Sequence, residues 1–214
     1  MNEPQRIRTL VAAFAGAVAT AVTLSGPAVA RPAVAVDAGS ARAPGTWCGG
    51  LEWRLMTLSD ADRQKVVWSP QQTTVGDLAK LAAPGRNPTR RTTSFQRHVW
   101  QLTAVVANYR VASNGEIVLV LFDIGSSTYM DAYLPNPQCL SKQTRGRAQI
   151  LAARKTVTQD CEPVTKQWQT LGATVRVSGV GFWNPVRTTK GALANGAELR
   201  PLISFEPISG CGKY

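Results

Sequence analysis

The order of strand-like and helix-like runs between residues 98 and 206 constrains the fold of this chain more than any other feature. Five runs are rich in β-branched and aromatic residues, which favour strands. Turn residues such as Asn114 and Gly115 separate them. The runs are HVWQLTAVVANYR (98–110), EIVLVLFD (116–123), TYMDAYL (128–134), ATVRVSGVGFW (173–183) and ELRPLISFE (198–206).

One helical pattern lies between the third and fourth of these runs. Within residues 142–158, Ile150, Ala153 and Val157 recur at spacings of three and four and therefore share one helix face. This order predicts a mainly β fold, a five-stranded OB-like Greek-key barrel with one helix between strands 3 and 4. A small sandwich with a helical insertion is the alternative.

The amino-terminal segment predicts export. Arg6 and Arg8 precede an apolar run at residues 10–24, and residues 28–30 are small, the pattern of a cleaved signal peptide over residues 1–30. A membrane anchor is the alternative for this run. No later apolar stretch is long enough to span a bilayer, so we expect no transmembrane span after cleavage. We expect a secreted protein, either extracellular or in the cell envelope.

Three further segments follow the predicted cleavage site. Residues 31–46 are rich in Ala, Pro and Gly without any period, which predicts a flexible leader. Residues 47–97 predict a helical or irregular extension that packs on the barrel, with Thr74 capping a short helix through Asp77. Residues 98–214 then form the barrel domain.

Four cysteines without a Cys-x-x-Cys pair favour two disulfides over a zinc site in an exported chain. Three pairings are compatible with the sequence. We favour a bond between Cys48 and Cys211, which would join the two ends of the domain. Cys139 would then pair with Cys161 and clamp the segment that carries the helix.

The chain is strongly basic, with 24 Lys and Arg residues, 13 Asp and Glu residues and a formal net charge of +11. Such a balance favours a polyanion as partner, and a protein partner is the other expectation. Arg90 and Arg91 lie in a linker rich in Gly and Pro and are candidate polyanion contacts. The alternative is that these arginines only keep the linker soluble.

Two carboxylates flank the predicted turn between the second and third strands. Asp123 and Asp131 could approach each other there and hold a hard cation, which would suit a metal-assisted, nuclease-like hydrolase. The alternative is that Asp123 organises the turn and Asp131 faces water. His98 is the only histidine and has no catalytic signature around it, so we expect neither a two-histidine metal site nor a cofactor.

Polar residues also mark the connection between the last two strands. Asn195, Glu198 and Arg200 lie there, where barrels of this class bind ligands. The alternative is a tight Asn-Gly turn followed by a surface ion pair.

Several motifs in fixed order resemble a largely uncharacterised family of secreted bacterial proteins. They include GEIVLVLFDIGSSTYMDAYLPNPQC (115–139), VSGVGFWNP (177–185) and KGALANGAELRPL (190–202). The family has a Gly-Val-Gly-Phe strand and closes on Asn-Gly-x-Glu-Leu followed by His or Arg and Pro; here Arg200 stands where relatives often carry His. The resemblance implies a secreted OB-like barrel without an agreed activity.

These observations together predict a secreted, disulfide-stabilised, non-enzymatic binding or accessory domain. Its ligand would be an anionic polymer or a protein partner at the cell envelope. A metal-assisted hydrolase and a purely structural envelope component are the alternatives.

Overall fold

Six strands and three helices make up the part of the chain that the structure, a computed structural model, describes. That part comprises residues 48–49, 51–161, 163–185 and 188–212, so the predicted signal peptide and leader lie outside the described residues. The elements in chain order are α1 (Leu51–Met56), β1 (Val67–Gln72), α2 (Val75–Ala79), β2 (His98–Val111), β3 (Ile117–Asp123), β4 (Thr128–Leu134), α3 (Arg147–Asp160), β5 (Gln169–Trp183) and β6 (Ala197–Ser209).

Five of the six strands close into a ring. The hydrogen-bonded order is β2-β3-β4-β6-β5, and β5 pairs back to β2. All of these pairings are antiparallel except β4 with β6, which run parallel where Ala132 lies opposite Leu199. The structure is thus mainly β, with a mixed sheet that closes on itself.

The sheet has a sixth strand that the sequence did not predict. β1 runs parallel to the beginning of β2, with Val67 opposite His98. Its sequence, VWSPQQ, has no alternation of buried and exposed residues, and all its side chains except that of Trp68 are exposed. The expected count of five strands was wrong because backbone pairing at an edge can form without an apolar face, and an edge tolerates Pro70.

The long helix α3 lies between β4 and β5, the third and fourth strands of the ring, as predicted. Ile150, Ala153 and Val157 are its buried residues, which confirms the predicted helix face. Gly146 precedes the helix with φ of 69°, and a Cβ there would collide with the ring of Trp68. Glycine is therefore required at this entry to the helix.

Alternation along the strands divides the sheet into an inner and an outer face. Leu119 and Leu121 of β3 and Met130 of β4 belong to the main buried cluster, together with residues of α2 and α3. The neighbouring positions therefore point outward. Part of the outer face is covered by the segment before β1, since Leu58 packs in a second buried cluster with strand residues such as Val99.

The disulfides join Cys48 to Cys139 and Cys161 to Cys211, with Cα–Cα distances of 5.3 and 4.5 Å. The favoured pairing, Cys48 with Cys211 and Cys139 with Cys161, was therefore wrong. The main reason is packing: Trp53 of α1 donates a hydrogen bond to the carbonyl of Cys139, so the segment that begins at Cys48 lies beside the end of β4. Cys161 directly follows α3, which packs along β6.

None of the helices in the described ranges is long and apolar enough to cross a membrane.

Candidate functional site

A cleft of about 320 Å³ lies on the outer face of the sheet, between the β2–β3 turn and the connection from β5 to β6. Strand alternation positions its walls, because the outward neighbours of the core residues line it. Its lining includes Arg110, Asn114, Glu116, Tyr133, Trp168 and Arg200.

Arg200 forms the floor of the cleft and is buried. Its Nε donates to Glu116 Oε1 at 3.2 Å, its Nη2 donates to Glu116 Oε2, and its Nη1 donates to Glu198 Oε1 at 3.4 Å. The guanidinium carbon also lies 4.2 Å from the ring centroid of Tyr133. A buried cation is stable only with such partners, so Glu116 and Glu198 compensate the charge of Arg200.

Two carboxylates tie the β5–β6 connection to the outer face. Asp131 of β4 accepts hydrogen bonds from the Thr189 hydroxyl and, at 3.1 Å, from the Gly191 amide. Glu198 accepts from Asn184 Nδ2 at 2.9 Å. Burial raises the pKa of Glu198 to about 7, and burial also raises the pKa of Asp131. The hydrogen bonds of these acids hold the β5–β6 connection against the outer face beside the cleft.

The mouth of the cleft is cationic. The guanidinium carbon of Arg110 lies 4.6 Å from the ring centroid of Trp168, and Lys190 Nζ lies 5.8 Å from the same ring. The Nε atom of Arg110 is buried and has no hydrogen-bond partner among the described residues. A buried donor left unpaired costs about 1–3 kcal/mol. Arg110 also has no carboxylate within ion-pair distance among the described residues, so the charge of its guanidinium is uncompensated in the cleft lining.

The structure brings three of the predicted site residues together. Arg200 lies at the floor of this cleft, and Asp131 and Glu198 lie close behind it, outside the cleft lining; Arg200 pairs with both Glu116 and Glu198. The expected alternatives, an exposed Asp131 and a surface pair of Glu198 with Arg200, were wrong because the β5–β6 connection covers these side chains.

Asp123 does not join them. In the β3–β4 hairpin Asp123 pairs with Thr128, whereas Asp131 pairs with Val120, so the two carboxylates lie on opposite faces. Asp123 accepts hydrogen bonds from the Gly125 amide at 3.0 Å and the Ser126 hydroxyl at 2.7 Å, which confirms the predicted role in the turn. The proposed cation pair was therefore wrong, and the described residues contain no cluster of three or more His, Cys, Asp or Glu side chains that could hold a metal.

The two linker arginines lie away from the cleft and have partners. Arg91 is completely buried and donates to Asp60 Oδ2 at 2.9 Å and to the Leu55 carbonyl at 2.6 Å. Arg90 is exposed and forms a bidentate pair with Asp62 at 2.8 and 2.9 Å. Arg91 therefore cannot contact a polyanion in this structure, and adjacent arginines in an irregular segment carry no pattern that distinguishes them.

Asn195 also has a structural role. Its Nδ2 donates to the carbonyls of Leu78 and Leu81 at 2.8 and 3.0 Å, and its Oδ1 accepts from the Ala197 amide at 3.0 Å. These bonds satisfy carbonyls at the end of α2, and they leave Asn195 outside the cleft lining.

Four residues of the cleft were not predicted as site residues from the sequence. Tyr133 and Arg110 occupy outward strand positions, so alternation alone could have indicated them. Glu116 follows a turn, and Trp168 precedes β5 in an irregular connection. Only the folded chain brings these two residues to the same cleft.

No family model matches the chain, and no curated protein sequence matches it. Among solved structures, it is similar to Entamoeba histolytica asparaginyl-tRNA synthetase in complex with asparaginyl-adenylate, with a TM-score of 0.36 and 12% sequence identity. The match covers 68% of this chain and 25% of that chain, so this chain spans about a quarter of the synthetase's length. At this level of similarity neither fold nor function is transferred.

Proposed function

We propose that this chain is a secreted, disulfide-stabilised, non-enzymatic binding domain, and that the cleft on its outer face binds an anionic polymer. We also propose that the ring of strands is an OB-like Greek-key barrel. The order of the ring strands and the position of α3 support this assignment. Barrels of that class bind ligands between the loop of the first hairpin and the loop that joins the fourth and fifth barrel strands. In this chain those loops are the β2–β3 turn and the β5–β6 connection, which form two edges of the cleft.

The observation that carries the proposal is the pair of cations, Arg110 and Lys190, at the mouth of an open cleft that Arg110 lines. Arg110 and Lys190 both lie near Trp168, and neither has an acidic partner within ion-pair distance among the described residues. An anion placed there would receive charge-assisted hydrogen bonds, which are stronger than neutral ones.

Two features support the proposal: one favours binding over catalysis, and the other favours a location outside the cytoplasm. Glu116 and Glu198 are engaged by Arg200, and Asp131 is engaged by Thr189 and Gly191, so these acids hold structure. Two disulfides suit an oxidising compartment, as does the predicted signal peptide. Membership of the secreted bacterial family suggested by the sequence motifs forms part of the same proposal.

The test is the salt dependence of polyanion binding. Fluorescence anisotropy would follow the binding of labelled heparin fragments and of labelled oligothymidylate over a salt series, for the wild type and two variants. We expect at least one probe to bind, with affinity falling as salt rises because counterions are released. Arg110→Gln should reduce the salt slope by about one.

Arg176→Gln is the matched control. It removes the same charge from an exposed arginine of β5 that pairs with Glu206 outside the cleft. The proposal is overturned if neither probe binds, or if the two variants have the same affinity and the same salt slope.

A further inference from the structure

Both aromatic rings of the cleft are covered by arginine. The guanidinium of Arg110 lies over Trp168 at 4.6 Å, and that of Arg200 lies over Tyr133 at 4.2 Å. Proteins that bind single-stranded nucleic acid stack bases on free aromatic faces. Because Tyr133 is buried and Trp168 already has a cation on one face, the cleft offers a poor platform for bases.

The floor of the cleft is an ion pair, whereas the mouth is basic. Glu116 is the one carboxylate among the described residues of the cleft lining, and its side chain is buried and accepts hydrogen bonds from Arg200 and Asn114. Asp131 and Glu198 lie behind the floor, outside the lining. The described residues therefore leave no free charge on the floor for a ligand, and the groups that can recognise one lie nearer the mouth.

Neutral polar groups extend this surface along the β2–β3 turn. Ser113 and Asn114 line the cleft, and Asn114 Nδ2 donates to Glu116 Oε2 at 2.6 Å. A hydroxyl and an amide beside a carboxylate can each exchange hydrogen bonds with a polyhydroxylated ring. The cleft volume of about 320 Å³ is at the small end for ligand pockets, which suits a single unit of a longer chain.

We infer that the cleft binds an acidic polysaccharide, with the acid group of one sugar at Arg110 and its hydroxyl groups toward Ser113 and Asn114. This inference rests on the proposed function and specifies the ligand class of the same site. It excludes nucleic acid as the preferred ligand, although nucleic acid is also a polyanion.

The experiment compares three probes by isothermal titration calorimetry on the mature protein. They are oligogalacturonate, its fully methyl-esterified form, which keeps the ring but loses the charge, and oligothymidylate. We expect oligogalacturonate to bind most tightly. Loss of the charge-assisted bond to Arg110 should weaken the methyl ester by about tenfold or more. Oligothymidylate should bind more weakly than oligogalacturonate.

Three variants test which residues recognise the saccharide, and none of them alters the buried ion pairs of Arg200. Arg110→Gln should abolish the preference for the free acid over the methyl ester, and Ser113→Ala should weaken both saccharides while leaving that preference. Arg176→Gln should bind as the wild type does. The circular dichroism spectrum of each variant checks that it is folded.

The outcomes separate the two proposals. Oligothymidylate binding as tightly as oligogalacturonate, or more tightly, overturns the saccharide inference and leaves the binding function standing. Equal binding of acid and methyl ester by the wild type also overturns the inference. If none of the three probes binds, the saccharide inference is wrong, and the binding function is also wrong if the heparin fragments fail to bind.

Discussion

Replacement of Arg91 tests whether the linker arginines have a structural or a binding role. Its guanidinium is completely buried and donates to Asp60 and to the main-chain carbonyls of Leu55 and Gln96. In Arg91→Ala, Asp60 loses its counter-ion inside the protein and both carbonyls lose a donor. Removing one member of a buried ion pair costs about 3–5 kcal/mol.

Such a loss is large compared with the total stability of a domain, which is about 5–15 kcal/mol. Arg90→Ala is the matched control, since it removes the same charge from the adjacent position. The Arg90 side chain is 67% exposed, so its pair with Asp62 is screened by water. We therefore expect Arg90→Ala to unfold close to the wild type.

The assay is urea unfolding followed by tryptophan fluorescence, which measures the midpoint and the slope for each variant. Arg91→Ala should show a much lower midpoint than Arg90→Ala. The reasoning is refuted if the two variants unfold at the same urea concentration, and more so if folded Arg91→Ala has lost polyanion binding. That result would assign Arg91 the surface role that its sequence context suggested.

Three further predictions concern stability. Because burial raises the pKa of Glu198 to about 7, the folded state binds its proton more tightly than the unfolded chain does; stability should fall, by on the order of 3 kcal/mol, as the pH rises from about 4.5 to 7. Glu198→Gln should flatten that dependence in urea titrations at several pH values, and an unchanged profile would contradict it. Gly181→Ala should lower the free energy of unfolding by about 1–3 kcal/mol because its Cβ would collide with the Phe95 carbonyl. The control Gly85→Ala, whose Cβ meets nothing within 4 Å, should unfold with the free energy of the wild type. Equal losses of stability in the two variants would contradict the close packing of Gly181 on Phe95. Cys211→Ser opens a 50-residue loop and should cost about 4 kcal/mol; a thermal or urea midpoint equal to that of the wild type would contradict this.

Strand composition and helical periodicity were sufficient for most of the sheet and for α3. Each of the five runs that the sequence indicated overlaps a ring strand, because β-branched and aromatic residues pack well on a sheet. The Thr74 cap was also predictable, since its hydroxyl accepts from the Asp77 amide as the local pattern requires. Patterns within one segment were thus sufficient to predict the structure of that segment.

Features that depend on contacts between distant segments could not be predicted in this way. The disulfide partners depend on which segment packs beside Cys139, and the faces of Asp123 and Asp131 depend on the hairpin register. Burial of Arg91 likewise requires Asp60, which lies in a segment that has no sequence period. In each case a single neighbour, brought close only by folding, determines the role of the residue.

The bond between Cys161 and Cys211 has a consequence for the dynamics of β6. Cys211 lies two residues beyond the end of β6, and Cys161 directly follows α3. The end of a strand can open locally by releasing its hydrogen bonds one after another. The disulfide ties the carboxyl end of β6 to the end of α3, so we expect that end of β6 to open only together with the helix. Amide hydrogens near Ser209 should therefore exchange with solvent as slowly as those in the last turn of α3.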